Sequence, residues 1–161
     1  MAQAQYFLKI ESIEGESTDE RHRGEIEVES FGWGETQAGG VGHGGGAGAG
    51  KVQAQDLQIV KKVDKSSPLL MMGCATGQHF KSAILTARKA GGGQLEYLKI
   101  TIEDALISSY QIGSSQGSVL PTDQVGLAFA RLEMSYREQK PDGSPGSEVE
   151  QKFDFVANKK V

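Results

Sequence analysis

A single cysteine, Cys74, stands in 161 residues, so an internal disulfide and a cysteine-based metal cluster are both excluded. No apolar run approaches the ~20 residues that cross a bilayer, and no membrane insertion is expected. Lys and Arg number 17 against 21 Asp and Glu, the net charge is −4, and no basic patch is visible, which argues against a nucleic-acid partner. The histidines, His22, His43 and His79, make neither an HxxxH pair nor a histidine–carboxylate pattern, so no metal site is expected. The N-terminal MAQAQYFLKIE has no basic stretch followed by an apolar core. No secretory signal peptide is read there; the chain is expected to fold in the cytoplasm and, if it leaves the cell, to leave by another route.

Hydrophobic residues make up only 37%, while glycine reaches 22 residues, near twice the usual ~7%. The length suggests one domain over residues 1–161, able to bury about 70% of its unfolded surface. A modest core with many glycines points to a turn-rich β fold whose stability is shared with neighbouring subunits.

The glycines concentrate in one place. From Gly39 to Gly50, eight of twelve residues are glycine. The segment 40–45 fits the dinucleotide pattern GxGxxG, and Gly45 to Lys51 nearly fits the P-loop, with Val52 where a Ser or Thr should hold magnesium. Both motifs need a helix to begin directly after the glycines, so that its N-terminus meets the phosphate. Here Val52, Ala54, Leu57 and Ile59 are separated by polar residues, a strand pattern, and nucleotide binding is set aside as the weaker reading. A loop with no side chains to pack is costly to order and needs a partner.

Along the chain, Gln5–Glu11 reads as a strand and Gly15–Arg23 as a solvated loop. In the next run Ile26 and Val28 face one way and Glu25, Glu27 and Glu29 the other, but Phe31 and Trp33 fall on the glutamate phase. After the loop the phase slips again between Ala54 and Leu57, and once more between Phe129 and Leu132. A slip in an alternating strand marks a bulge or sharp bend, of the kind strands need to curl into a barrel. One helix is expected within Asp64–Gly77, over about residues 66–76. Ser66 or Ser67 would cap it, Pro68 suits its first turn, and Gly77 ends it. It is apolar nearly all round, so it should be buried, against a sheet or between subunits. Residues 80–90 and 94–104 read as a hairpin about Gly91–Gly93, and 113–123 as a loop. Val149 to Ala157 reads as a last strand, with the NKKV tail frayed.

Catalytic groups are thin. Cys74 and His79 lie near the helix C-terminus, where the dipole raises a thiol pKa, so Cys74 reads as a small core hydrophobe. The glutamate row reads as a solvated or lumen-facing edge, and Phe31 and Trp33 as core aromatics. From the residues alone the expectation is a mainly β, barrel-like domain with one helix, a long glycine-rich hairpin loop, no active site and no cofactor.

Beginning at Asp64, the run Asp64-Lys65-Ser66-Ser67-Pro68 with Leu70-Met71-Met72, Cys74 and Gly77 resembles the helix motif of the Hcp family, the tube proteins of bacterial type VI secretion. The resemblance continues through Arg88-Lys89-Ala90-Gly91-Gly92 and Glu96-Tyr97-Leu98. It extends back over Gly15-Glu16-Ser17, Phe31-Gly32-Trp33-Gly34, the glycine loop and Gln55-Asp56-Leu57, spanning about Tyr6 to Phe155. It implies a β-barrel of two sheets with a flanking helix, six copies in a ring, and rings stacked into a tube. A contractile sheath would surround that tube and a VgrG-type spike tip it. Small effector proteins would travel in the channel, export would need no signal peptide, and no catalysis is implied.

On that reading, Gln37, Gly39, Gly40, Gly42, His43, Gly44, Gly45, Gly46, Gly48, Gly50 and Lys51 would form ring-to-ring contacts, since glycine backbone can lie flat against a neighbour. Glu25, Glu27, Glu29, Ser30 and Gly32 would face the channel. A monomeric β-barrel carrier with an interior ligand is the competing class.

Overall fold

A computed structural model describes residues 4–39, 50–91 and 93–161. The strand that organises it is β8 (Glu96–Gly113), 18 residues long and alternating apolar with polar over most of its length. Its first half pairs antiparallel with β7 (His79–Arg88) on one edge and β10 (Arg131–Gln139) on the other. Its second half pairs with β9 (Thr122–Ala128). Two irregularities bend it. Asp104 sits at φ 52°, and the pairing with β7 skips from Phe80↔Ala105 to Ser82↔Glu103. The register with β9 shifts again between Ile107 and Ser109. The expected break between Phe129 and Leu132 is where β9 ends and β10 begins, so both members of this long hairpin bend together.

From the first half of β8 the sheet runs outward through β7, β1 (Gln5–Ile10) and β2 (Ile26–Val28) on one side. On the other it runs through β10, β11 (Pro145–Asp154) and β12 (Lys159–Lys160). From the second half it continues through β9 to β6 (Leu57–Lys62) and β3 (Ser30–Gly32). The slip at Glu29 is the point where the chain leaves β1 for β6: β2 pairs with β1, β3 pairs with β6, and the Glu29 N–H donates to the Val60 carbonyl at 2.8 Å. The slip after Ala54 separates β6 from a detached ribbon, β4 (Glu35–Gln37) paired with β5 (Val52–Ala54). The expected closed barrel is not what these pairings form. The strand order is open from β12 to β2, because β8 bends and is shared between two layers that fold over one another.

The layers meet in one core, with Leu8, Leu85, Ile100 and Ile102 from one side and Leu57, Ile59, Val125 and Leu127 from the other. Burial of such side chains, at about 1.5–3 kcal/mol each, supplies the main stabilisation.

The helix α1 (Ser66–Thr76) departs from expectation in two ways. Neither serine caps it. The Asp64 carboxylate accepts the Ser66 N–H at 2.8 Å, and the Ser67 hydroxyl accepts the Asp64 N–H while donating into the interior. Nor is it buried all round. Leu70 and Gly73 pack toward β8, whereas Leu69, Met71 and Met72 stay exposed, since only one side of the helix meets the sheet. Its end is as expected: Gly77, at φ 65°, takes the left-handed conformation that glycine adopts without strain. The C-terminal tail does not fray, because Lys159 and Lys160 pair with Asp154 and Phe153.

Candidate functional site

The β4–β5 ribbon leads into and out of the glycine-rich segment. Its base is pinned by Trp33, whose indole N–H donates to the Gln55 carbonyl at 2.8 Å while the ring packs on Phe129 and Phe155. The Gln55 N–H returns to the Gly34 carbonyl at 2.8 Å. Along the ribbon Glu35, Thr36 and Gln37 face Ala54, Gln53 and Val52, and all but Val52 are exposed. Gly39 and Gly50 continue the approach. A Cβ added to Gly50 would lie 2.8 Å from the Gly39 nitrogen and 3.0 Å from the Gln37 Oε1, so no larger residue fits there unmoved. The Gln37 side chain also accepts the Gly39 N–H at 3.3 Å, and Lys51 is exposed. Of the expected stacking residues, Gly40, Gly42, His43, Gly44, Gly45, Gly46 and Gly48 lie outside the described residues. The segment after the glycines is strand β5, not the helix a phosphate site requires.

The glutamate row divides. Glu27, Glu29, Ser30 and Gly32 are exposed on the outer side of the β2–β3 bend. Glu25 instead turns to His22, its Oε2 lying 2.9 Å from Nδ1, while Glu96 Oε1 lies 2.6 Å from the other ring nitrogen. The imidazole stacks on Phe7 with centroids 4.3 Å apart. Phe31 packs edge-on against Tyr6, as expected of a core aromatic. Cys74 is half-buried against the core and His79 is exposed.

Sequence reasoning missed three polar clusters. The 15–23 segment is not simply solvated: Ser17 and His22 are buried, and Asp19 clasps the buried Arg88 guanidinium at 2.6 and 3.0 Å. Arg88 also donates to the Gln5 side chain. That ion pair holds the Asp19 carboxyl down at about 2 and raises Arg88 above its ordinary range. A second cluster centres on Lys61 and Asp123, each 0% exposed and directly opposite across β6 and β9. Lys61 Nζ donates to Asp64 Oδ1 and Ser67 Oγ, both at 3.0 Å. Ser67 and Tyr110 hydroxyls donate to Asp123 Oδ2 at 2.6 and 2.8 Å. Asp123 Oδ1 receives no well-aligned hydrogen bond; its partner is the ammonium at 3.1 Å, an ion pair rather than a directed bond. Burial, and then the bond to Asp123, push the Tyr110 hydroxyl up to about 12. The third cluster lies on the solvent face of the sheet, where Arg131 and then Lys152 hold Glu103 below its usual range. Only Lys61 and Asp123 left a trace in the sequence, Lys61 sharing the inward phase of Leu57 and Ile59 and Asp123 that of Val125 and Leu127.

Among the described residues no group of His, Cys, Asp and Glu is placed to hold a metal, and no helix is long and apolar enough to cross a membrane.

Residues 7–136 match the family described as type VI secretion system effector, Hcp. The chain is 48% identical to protein hcp1 of Pseudomonas aeruginosa over 139 residues, 86% of each sequence. Its fold superposes on the crystal structure of Hcp1 from Salmonella typhimurium with a TM-score of 0.82 at 34% identity, covering 100% of both chains. It matches the structure of a type six secretion system protein with a TM-score of 0.92 at 26% identity, over 99% of this chain and 100% of that one. With motifs, fold and relatives in agreement, this chain belongs to the Hcp family of secreted type VI secretion proteins.

Proposed function

We propose that the protein is the building block of the secretion tube: six copies close into a ring, and rings stack head to tail into a hollow tube. A contractile sheath surrounds the tube in the cytoplasm and drives it outward behind a VgrG-type spike, with small effector proteins in its channel. Export by that route uses no N-terminal signal. The observation that carries this reading is the projecting β4–β5 ribbon. It is detached from the main sheet, exposed along nearly all its length, and ends in Gly39 and Gly50, the second of which leaves no room for a side chain. Such a ribbon has main-chain donors and acceptors to offer that no other strand among the described residues receives, which suits a contact with the next ring.

In this reading Gln37, Gly39, Gly50 and Lys51, with the glycine-rich tip, make the ring-to-ring contact. Glu27, Glu29, Ser30 and Gly32 line the channel and tune which effector fits. Glu25 contributes less, being held by His22. The chain is assigned no catalytic step. The carrier alternative is disfavoured because the space between the layers is filled by Ile26, Ile59, Ile102 and Leu127, each 0% exposed.

Light scattering with negative-stain imaging tests the ring, and replacing residues 38–51 by a tight two-residue turn tests the stacking. Rings without tubes are expected from that replacement, and tubes of normal length would refute the assignment of the ribbon. Charge reversal at Glu27 and Glu29 should change effector retention; unchanged retention would remove them from the channel.

A further inference from the structure

On its solvated side the sheet carries a groove of about 490 Å³, bounded by the 15–23 segment, the turn before β8 and the turn between β10 and β11. The strand register sets its floor. Lys99 of β8 lies directly opposite Ser135 of β10, and Arg137 lies opposite Glu148 of β11. In the other direction the same row runs from Lys99 to Thr86 of β7 and Phe7 of β1. There it is covered: His22 stacks on Phe7, and Thr86 and Arg88 are buried. The groove begins where that cover stops, at Lys99, which is exposed.

Its charges are unevenly spent. Three cations line it, Arg21, Lys99 and Arg137, against two carboxylates, Glu96 and Glu148. Both carboxylates are engaged within the fold. Glu96 lies 2.6 Å from the His22 ring. Glu148 accepts the Ser135 hydroxyl at 2.5 Å and an Arg137 N–H at 2.8 Å, and these bonds hold its carboxyl below its usual range. Arg21 and Lys99 are in no ion pair among the described residues. The backbone of Arg21 is fixed by the cluster beneath it, since Asp19, clasped by the buried Arg88, accepts the Arg21 N–H at 2.9 Å. A contact made there pays less to order its own side of the site. The walls add apolar surface from Leu95, Tyr97 and Pro145, and a further cation, Lys89, stands 5.5 Å over the Tyr97 ring.

We propose that this groove binds an acidic peptide segment of a partner protein. Two fixed cations without counter-ions select a carboxylate, which takes charge-assisted hydrogen bonds from both. The groove is half-open, so it would enclose too little of a free small anion to hold it. An extended segment can set a carboxylate between Arg21 and Lys99 and rest its backbone on Tyr97 and Pro145. The whole chain carries a net charge of −4, so the attraction belongs to this face and not to the protein at large. The site lies within one chain and does not depend on ring closure.

Fluorescence anisotropy of a fluorescein-labelled hexaglutamate peptide at low salt tests this. Anisotropy should rise with protomer concentration, and the binding should weaken as salt is added. Lys99→Glu and Arg21→Glu should each weaken it by about tenfold or more, because each turns an attraction into a repulsion. Lys99→Gln and Arg21→Gln, which remove a charge without reversing it, should weaken it by about threefold or more, and circular dichroism checks that every variant keeps its fold. Lys81→Glu makes the same change in net charge at an exposed residue outside the groove and should bind as the unaltered protein does. An equal loss in Lys81→Glu would assign the binding to overall charge and overturn the proposal. Unchanged binding in all four groove variants, or no binding up to ~1 mM protomer, would overturn it as well. Displacement of the peptide by inorganic phosphate below ~1 mM at matched ionic strength would make this a small-anion site, and tighter binding of a labelled oligothymidylate of equal length would make it a nucleic-acid site. Either result would overturn the peptide assignment.

Discussion

Replacing Asp123 by alanine removes the centre of the buried cluster between β6 and β9. Lys61, 0% exposed, would keep its bonds to Asp64 and Ser67 but lose the opposing charge at 3.1 Å. The Ser67 and Tyr110 hydroxyls would lose their common acceptor. Breaking one side of a buried pair costs about 3–5 kcal/mol, which for a chain of this size lowers Tm by roughly 6–20 °C. Lys61→Met should cost a similar amount, because it leaves Asp123 as the stranded ion. The double variant should cost no more than the worse single one, since neither ion of the pair is then stranded, giving a coupling of about 3 kcal/mol or more in a double-mutant cycle. The assay is urea unfolding followed by circular dichroism at one fixed protomer concentration, because assembly stabilises by mass action. An Asp123→Ala cost under about 1 kcal/mol, or costs that simply add in the double variant, would refute the reasoning.

Three further outcomes follow from the same geometry. Asp19 sits at about 2 in the fold, below its ordinary 3.8, because of Arg88. Its contribution is present above pH ~4 and lost as pH falls toward 2, so Asp19→Asn should lower Tm at pH 6 and leave it nearly unchanged at pH 2. Glu133 is raised, first by its hydrogen bond to Glu150 and then by burial. The fold therefore favours the protonated form and loses stability as pH rises through that value; Glu150→Gln should raise Tm at pH 7 and give no gain at pH 4. Gly77→Ala forces a Cβ into the left-handed region at φ 65° and should cost about 1–2 kcal/mol in the same unfolding assay.

Much of the fold was legible where a local rule acts alone. Each break in apolar alternation, at Glu29, after Ala54 and at Phe129, became a real bend or a change of partner strand. The end of α1 was legible because a left-handed residue favours glycine. The helix cap was misread because Asp64 was in reach as well as the serines, and the side-chain rotamers that choose among them depend on Lys61 and Asp123. The paired tail was missed because two lysines beside an asparagine carry no strand pattern; their partners, Phe153 and Asp154, supply it.

The sequence by itself determined the strand content, the bends, the one helix among the described residues and, through its motifs, the family. These depend on residue order over a few positions, or on signatures read along the chain. Only the tertiary structure decided that the strands fold into two open layers sharing β8 instead of a closed barrel. It alone brought Asp19 to Arg88 and Asp123 to Lys61, across 69 and 62 positions of chain. It alone showed that α1 is only half covered. Coverage is a property of which surfaces end up opposite one another, and a periodic pattern records only that a face is apolar, not whether its own chain reaches far enough to bury it.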